Sequence, residues 1–263
     1  MSTHTDTLIG RSARLEIDDI DFAAFHDRPL DPATLRCLRY MHDIENHTMC
    51  YLRDVLVTRA HRDPEMTAFL ACWSYEEHWH GDAIARVLDA HGEPSGAARV
   101  NRLRQKLPRR DSLRPVLFSV TSAITRHLVA VHMAWGTVNE WTTQTGYARL
   151  AAHAKHPVLG ELLRRIMKQE GRHIDFYAMQ AKARLGESAA AQRLTRFALR
   201  RYWEPVGSGV MPAREVRFLA AHLFSDDEGM AAARRVDRQV DRIPGLESLH
   251  LLEGAAVRAL ATG

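Results

Sequence analysis

The ten prolines stand at positions 29, 32, 64, 94, 108, 115, 157, 205, 212 and 244 and leave four long proline-free stretches, 33–63, 65–93, 116–156 and 158–204. Proline is costly inside a helix and welcome in its first turn, so each stretch is expected to start a helix just after its proline. Period-two alternation with β-branched residues is scarce, and strands are not indicated. The chain reads as all-α.

Hydrophobic periodicity supports four long helices. Leu35, Leu38, Met41, Met49, Leu52 and Leu56 recur at three- and four-residue steps in the first, and Met66, Phe69, Leu70, Trp73, Ile84, Val87 and Leu88 in the second. The third is apolar around much of its circumference from Val116 to Val138, which predicts deep burial. The fourth runs through Leu159, Leu162, Leu163, Ile166, Ile174, Tyr177, Ala181 and Leu185. Links near residues 62–64 and 155–157 are short, and that near 93–114 is long. Short, long, short is the connection pattern of a ferritin-like four-helix bundle with one crossover. The expected organisation is an N-terminal extension (1–31), the bundle (32–186) and a C-terminal helical extension (187–263), broken at Gly207, Gly209 and Pro244.

What interrupts each apolar stripe is informative. In the second helix the positions 66, 69, 70, 73, 77, 80, 84 and 87 keep helical spacing, and two of them are Glu77 and His80. In the fourth, 159, 162, 166, 170, 173, 177 and 181 do the same, with Glu170 and His173 among them. Residues three apart on a helix share a face, so both pairs point at the core. Glu45 in the first helix and Glu140 in the third lie on their stripes too. Buried carboxylates must be neutralised, paired or bound to metal. One Glu from each of two helices and one Glu-x-x-His from each of the other two make a dinuclear metal set. Carboxylate with imidazole suits iron or manganese, so two Fe ions are expected, with Mn as the alternative.

Fifteen Glu and fifteen His give about one chance Glu-x-x-His match, and the chain has three. Phase with the stripe therefore carries the argument. Glu247–His250 lies beside its stripe and reads as surface. His42 and His47 flank Glu45 on neighbouring faces and read as ordinary helix residues. His78 reads as exposed, and Glu76 as facing away from the core, in a supporting or surface role rather than as a ligand.

Three cysteines without a C-x-x-C pair exclude a disulfide framework and a thiolate zinc site. Residues 1–25 hold no apolar targeting segment, and no apolar run reaches the ~18 residues of a membrane span. A cytoplasmic protein without a membrane span is expected. The net charge of +4 is concentrated in two runs, Arg99 to Arg114 and Arg193 to Arg201, which suit an acidic partner.

At the ligand positions the chain resembles the soluble acyl-[acyl-carrier-protein] desaturase family. Glu76-Glu77-His78-Trp79-His80-Gly81-Asp82 looks like that family's E-E-x-R-H-G-D stretch, and Gln169-Glu170-Gly171-Arg172-His173 is similar to its D-E-x-R-H stretch. Glu140-Trp141-Thr142-Thr143 keeps a Glu-x-x-Thr spacing. The resemblance implies a di-iron oxidoreductase that uses dioxygen to introduce a double bond into an acyl chain on acyl carrier protein. It implies iron ligation by Glu45, Glu77, His80, Glu140, Glu170 and His173, and a proton-delivering role for Thr143. It further implies a ferredoxin-type electron donor and a homodimer; nucleic acid is not the expected partner. Trp79 stands where the family has Arg, and Gln169 where it has Asp, so a charged group behind the ligands is missing. The alternatives are a di-iron hydroxylase or N-oxygenase acting on a small molecule or tRNA, and a non-enzymatic iron-binding protein.

Overall fold

The computed structural model describes residues 3–261. Residues 1–2 and 262–263 of the expected terminal segments, and the side chains of Arg109 and Arg110 in the first basic run, lie outside the described parts. The described chain is all-α and contains no β-strand. In chain order the helices are α1 (Thr3–Gly10), α2 (Ala24–Asp27), α3 (Pro32–Glu45), α4 (Thr48–Leu56), α5 (Pro64–Ala90), α6 (Gly96–Gln105), α7 (Arg109–Ile124), α8 (Leu128–Ala154), α9 (Pro157–Gly186), α10 (Ala189–Tyr202), α11 (Ala213–Phe224), α12 (Asp227–Val240) and α13 (Leu251–Ala261). No described helix is long and apolar enough to cross a membrane.

Two Asp-Pro steps start helices by one device. The Asp31 carboxylate accepts from the backbone N–H groups of Ala33 and Thr34, and that of Asp63 from Glu65 and Met66. Proline follows at the first helical position, where its missing N–H costs nothing. Pro157 opens α9 similarly. Pro115 breaks the pattern, because it lies inside α7, which begins six residues earlier.

Two further expectations are corrected. The first long helix is divided at Asn46–His47, directly after Glu45, into α3 and α4. The third is divided at 125–127, and its first half is not deeply buried: Val116, Leu117, Val120 and Ile124 of α7 are exposed. Apolar content alone does not mean burial: only α8 carries the buried part, with Met133, Ala134 and Val138 fully enclosed.

The chain forms two compact units, residues 1–120 with 150–169, and residues 121–149 with 170–263. In the first, α3 packs along α5, and Leu38 of α3 and Met66, Leu70, Ile84 and Leu88 of α5 are buried. Leu15, Ile17 and Phe25 anchor the segment before α3. A Cβ at Gly81 would come within 2.5 Å of the Asn46 side chain, so the bare backbone of α5 there leaves room for the turn that ends α3. In the second unit α11, α12 and α13 pack on one another. A Cβ at Gly136 would meet the Tyr177 ring at 2.5 Å, and its absence lets that ring lie against α8. Arg149, buried at the end of this part of α8, donates to the Leu223 carbonyl at 3.0 Å, to both Asp226 oxygens and to Glu228.

Candidate metal-binding clusters

All six predicted ligands are buried, none of them more than 7% exposed. In the first unit, α3 supplies Glu45 from its last turn, and α5 supplies Glu77 and His80 from its middle. His80 Nδ1 stands 3.7 Å from a Glu77 oxygen and 3.9 Å from a Glu45 oxygen. The second unit repeats the arrangement: α8 supplies Glu140, α9 supplies Glu170 and His173, and His173 Nδ1 lies 3.0 Å from Glu170 and 3.9 Å from Glu140. Within each triad the donor atoms lie within 4.8 Å of one another. Ligands ~2.1 Å from a shared ion stand about 3–3.5 Å apart, so each set needs little adjustment to converge on one. Two carboxylates and an imidazole form a donor set for a divalent first-row transition metal. These buried clusters of Glu and His could hold metal ions.

The surroundings of the first triad fix its imidazole. Gln169 Oε1 lies 2.9 Å from His80 Nε2. An amide oxygen can only accept, so Nε2 carries a proton and Nδ1 is the nitrogen turned to the carboxylates. The amide is itself oriented, since Gln169 Nε2 donates to the Ala13 carbonyl at 3.1 Å. Ala13 N–H donates to Glu76 at 3.3 Å, and the Arg14 guanidinium lies 4.6 Å from the centre of the Trp79 ring. Two consecutive residues of the N-terminal segment thus touch three side chains adjacent in sequence to predicted ligands. The segment is held further along, where Arg165 of α9 donates to the Glu16 carbonyl and to both Asp19 oxygens.

The other sequence-predicted residues fall as follows. Thr143 lies one turn after Glu140 on α8 and is partly exposed, while its neighbour Thr142 is buried and donates to the Val138 carbonyl. His78 is exposed, as expected. Glu76 is buried and accepts from Ala13 N–H, which excludes the surface alternative and leaves it a supporting place beside Glu77. His42 is buried too, its Nδ1 3.1 Å from Asp43 and its Nε2 accepting from Gly96 N–H. Burial pushes the His47 pKa down to about 4. His250 stands near Glu253 and Asp237 rather than serving with Glu247, whose carboxylate accepts from Gly245 N–H. Asp237 accepts from the Leu252 and Glu253 N–H groups, a capping role for α13.

The basic runs are partly structural. Arg99 grips both Asp43 oxygens at 2.6 and 2.7 Å, Arg104 donates to the Asn46 carbonyl, and Arg114 pairs with buried Asp54. In α10, Arg196 donates to the Gly245 and Glu247 carbonyls, whereas Arg193, Arg200 and Arg201 are exposed beside exposed Phe197 and Tyr202.

Sequence reasoning missed the Ala13–Gln169–His80 chain. Gln169 was visible only as a departure from a motif, and a backbone carbonyl at position 13 leaves no side-chain signal. In comparisons with known proteins, no family model, no curated protein and no solved structure matches this chain.

Proposed function

We propose that the two triads each take one iron or manganese ion and that the pair forms a dinuclear, oxygen-using oxidoreductase centre. The observation that carries this reading is the repeated buried Glu, Glu, His set. Burying such groups is unfavourable without compensation, and metal coordination supplies it. When bound, a reduced ion pair supplies electrons to dioxygen. The protein's own part is to orient and exclude. Gln169 holds His80 with Nδ1 inward, and burial keeps bulk water from the donors. On this reading Thr143, one turn beyond Glu140, hands a proton toward the centre.

The resemblance to acyl-[acyl-carrier-protein] desaturases makes acyl-chain desaturation the leading reaction, with a ferredoxin-type electron donor. The exposed Arg193, Arg200 and Arg201, with Phe197 and Tyr202, offer an acidic carrier a surface of positive charge around aromatic anchors. Trp79 and Gln169 replace charged groups of the motif, and this favours hydroxylation of another substrate as the second reading.

The test is metal analysis of the purified chain, then anaerobic reduction and oxygen exposure with acyl-carrier substrates. Two metals per chain with magnetically coupled ions, and a product two mass units lighter, are expected. Two coupled metals with a product sixteen units heavier would favour the hydroxylase reading. A chain that binds no iron or manganese would defeat both.

A further inference from the structure

The apolar face of α7 points outward. Leu113, Val116, Leu117, Val120 and Ile124 are between 53% and 80% exposed. At about 100° per residue these five fall within an arc of about 100°, and buried Asp111 and Ser122 lie on the opposite side. The helix is held from behind: Arg53 of α4 donates to Asp111 at 3.3 Å, and Arg114 pairs with buried Asp54 at 3.0 Å. On α4, Met49, Leu56 and Val57 are exposed as well. Positive charge gathers in the same part of the chain. Residues 96–126 carry eight arginines and lysines, Arg109 and Arg110 among them, against one acid, Asp111. Arg104 of α6 donates to the Asn46 carbonyl just before α4, and its charge reaches Cys50 of α4 as that of Asp111 does, so the end of α6 and the start of α7 flank one short helix. Arg102, Arg104 and Lys106, with Arg126 two residues beyond α7, are exposed and make no ion pair among the described residues.

We propose that this face rests on the surface of an anionic lipid bilayer, with the α7 stripe sunk into the boundary between headgroups and acyl chains and the cations before and after it among the headgroups. An exposed apolar stripe marks a contact with protein or with membrane. Its composition favours membrane. The exposed side chains are all aliphatic, whereas the anchors that hold proteins together are chiefly aromatic residues and arginine, with Leu and Val under-represented. Hydrocarbon asks only for apolar area. Charge favours an anionic membrane, because lipid headgroups meet scattered cations without a fixed geometry. A second copy of the chain would oppose like charges here. The α10 surface differs, since its exposed Phe197 and Tyr202 do offer aromatic anchors. A helix of 16 residues lying flat also agrees with the absence of any described helix able to cross a membrane. The proposal stands apart from the metal reading.

The experiment is co-sedimentation of the full chain with vesicles at about 0.1 M salt, where charges act over ~10 Å. One set is phosphatidylglycerol and phosphatidylcholine in equal parts, the other phosphatidylcholine alone. Binding to the anionic set is expected to be at least ~25-fold tighter, about fivefold for each of two cations at the surface, and to be lost by about 1 M salt. Leu117→Ala/Val120→Ala removes apolar area without adding charge and is expected to weaken binding about tenfold or more. Leu117→Glu/Val120→Glu is expected to abolish it. Both variants should melt like the wild type, because both side chains are exposed. Arg102→Ala/Lys106→Ala is expected to weaken binding and flatten its salt dependence. A wild type that stays in solution beside the anionic vesicles overturns the proposal, even if it binds an acidic carrier protein through Leu117. Equal binding to the two vesicle sets also overturns it, as does binding that the two Leu117/Val120 variants retain.

Discussion

Replacing Gln169 by Leu tests the link between the N-terminal segment and the first triad. The change keeps most of the volume and removes two hydrogen bonds, one of 2.9 Å to His80 and one of 3.1 Å to the Ala13 carbonyl. Each bond is worth about 1 kcal/mol net, and withdrawing the acceptor from a buried N–H adds ~1–3 kcal/mol. His80 is fully buried, so water does not substitute readily. The metal-free protein is therefore expected to lose about 3–5 kcal/mol in urea unfolding. Metal affinity is expected to fall by ~10–100-fold in competition with a chelator, because groups that hold a ligand imidazole in place matter nearly as much as the ligand. Gln169→Glu keeps an acceptor for His80 and places a carboxylate against the Ala13 carbonyl, so it should recover affinity while losing stability. If Gln169→Leu changed stability by less than ~0.5 kcal/mol and affinity by less than about threefold, Gln169 would not be the brace described.

Four further outcomes follow from other parts of the structure. Glu77→Gln is expected to stabilise the metal-free chain by about 1–3 kcal/mol and to abolish tight binding of one ion, since an amide is easier to bury than a carboxylate; unfolding curves with and without chelator decide it. Arg149→Met strips one buried and three part-buried hydrogen bonds from the second unit and should cost ~1–3 kcal/mol by the same measurement. Burial pushes the Cys37 thiol up to about 12, so Cys37 should stay unlabelled by a thiol reagent at pH 8 until denaturant is added. The hydrogen bond from Arg165 holds Asp19 at about 2, and those from Arg164 and Arg165 hold Glu161 at about 2. Both lie below their ordinary values of 3.8 and 4.5, so these ties act fully above about pH 5 and are lost as pH falls through about 2. Hydrogen exchange, corrected for intrinsic rates, should find residues 16–21 protected at pH 5 and released near pH 2.

The buried stripes were legible because each repeats the helical period over many turns, and the polar residues in phase with them are buried in the fold. Asp31-Pro32 and Asp63-Pro64 marked helix starts for a reason local to a few residues. Burial of α7 was misread because periodicity reports that a helix has an apolar face, not that the same chain covers it. The burial of Glu76 was not legible because its hydrogen-bond partner is residue 13, 63 positions away. Contacts at that range depend on how the whole chain is threaded, and no local pattern encodes them.

That threading has a consequence for how the protein is made. The chain passes between its two units after residues 120, 149 and 169, so no single cut separates them. On the ribosome, the donors of the first triad are all synthesised by residue 80, yet the amide that braces His80 arrives only at 169. Glu170 and His173, which complete the second triad, follow within four residues. A nascent chain therefore holds its first three donors, unbraced, for about a third of its synthesis. The brace and the last two donors then emerge almost together, along little more than one turn of a single helix.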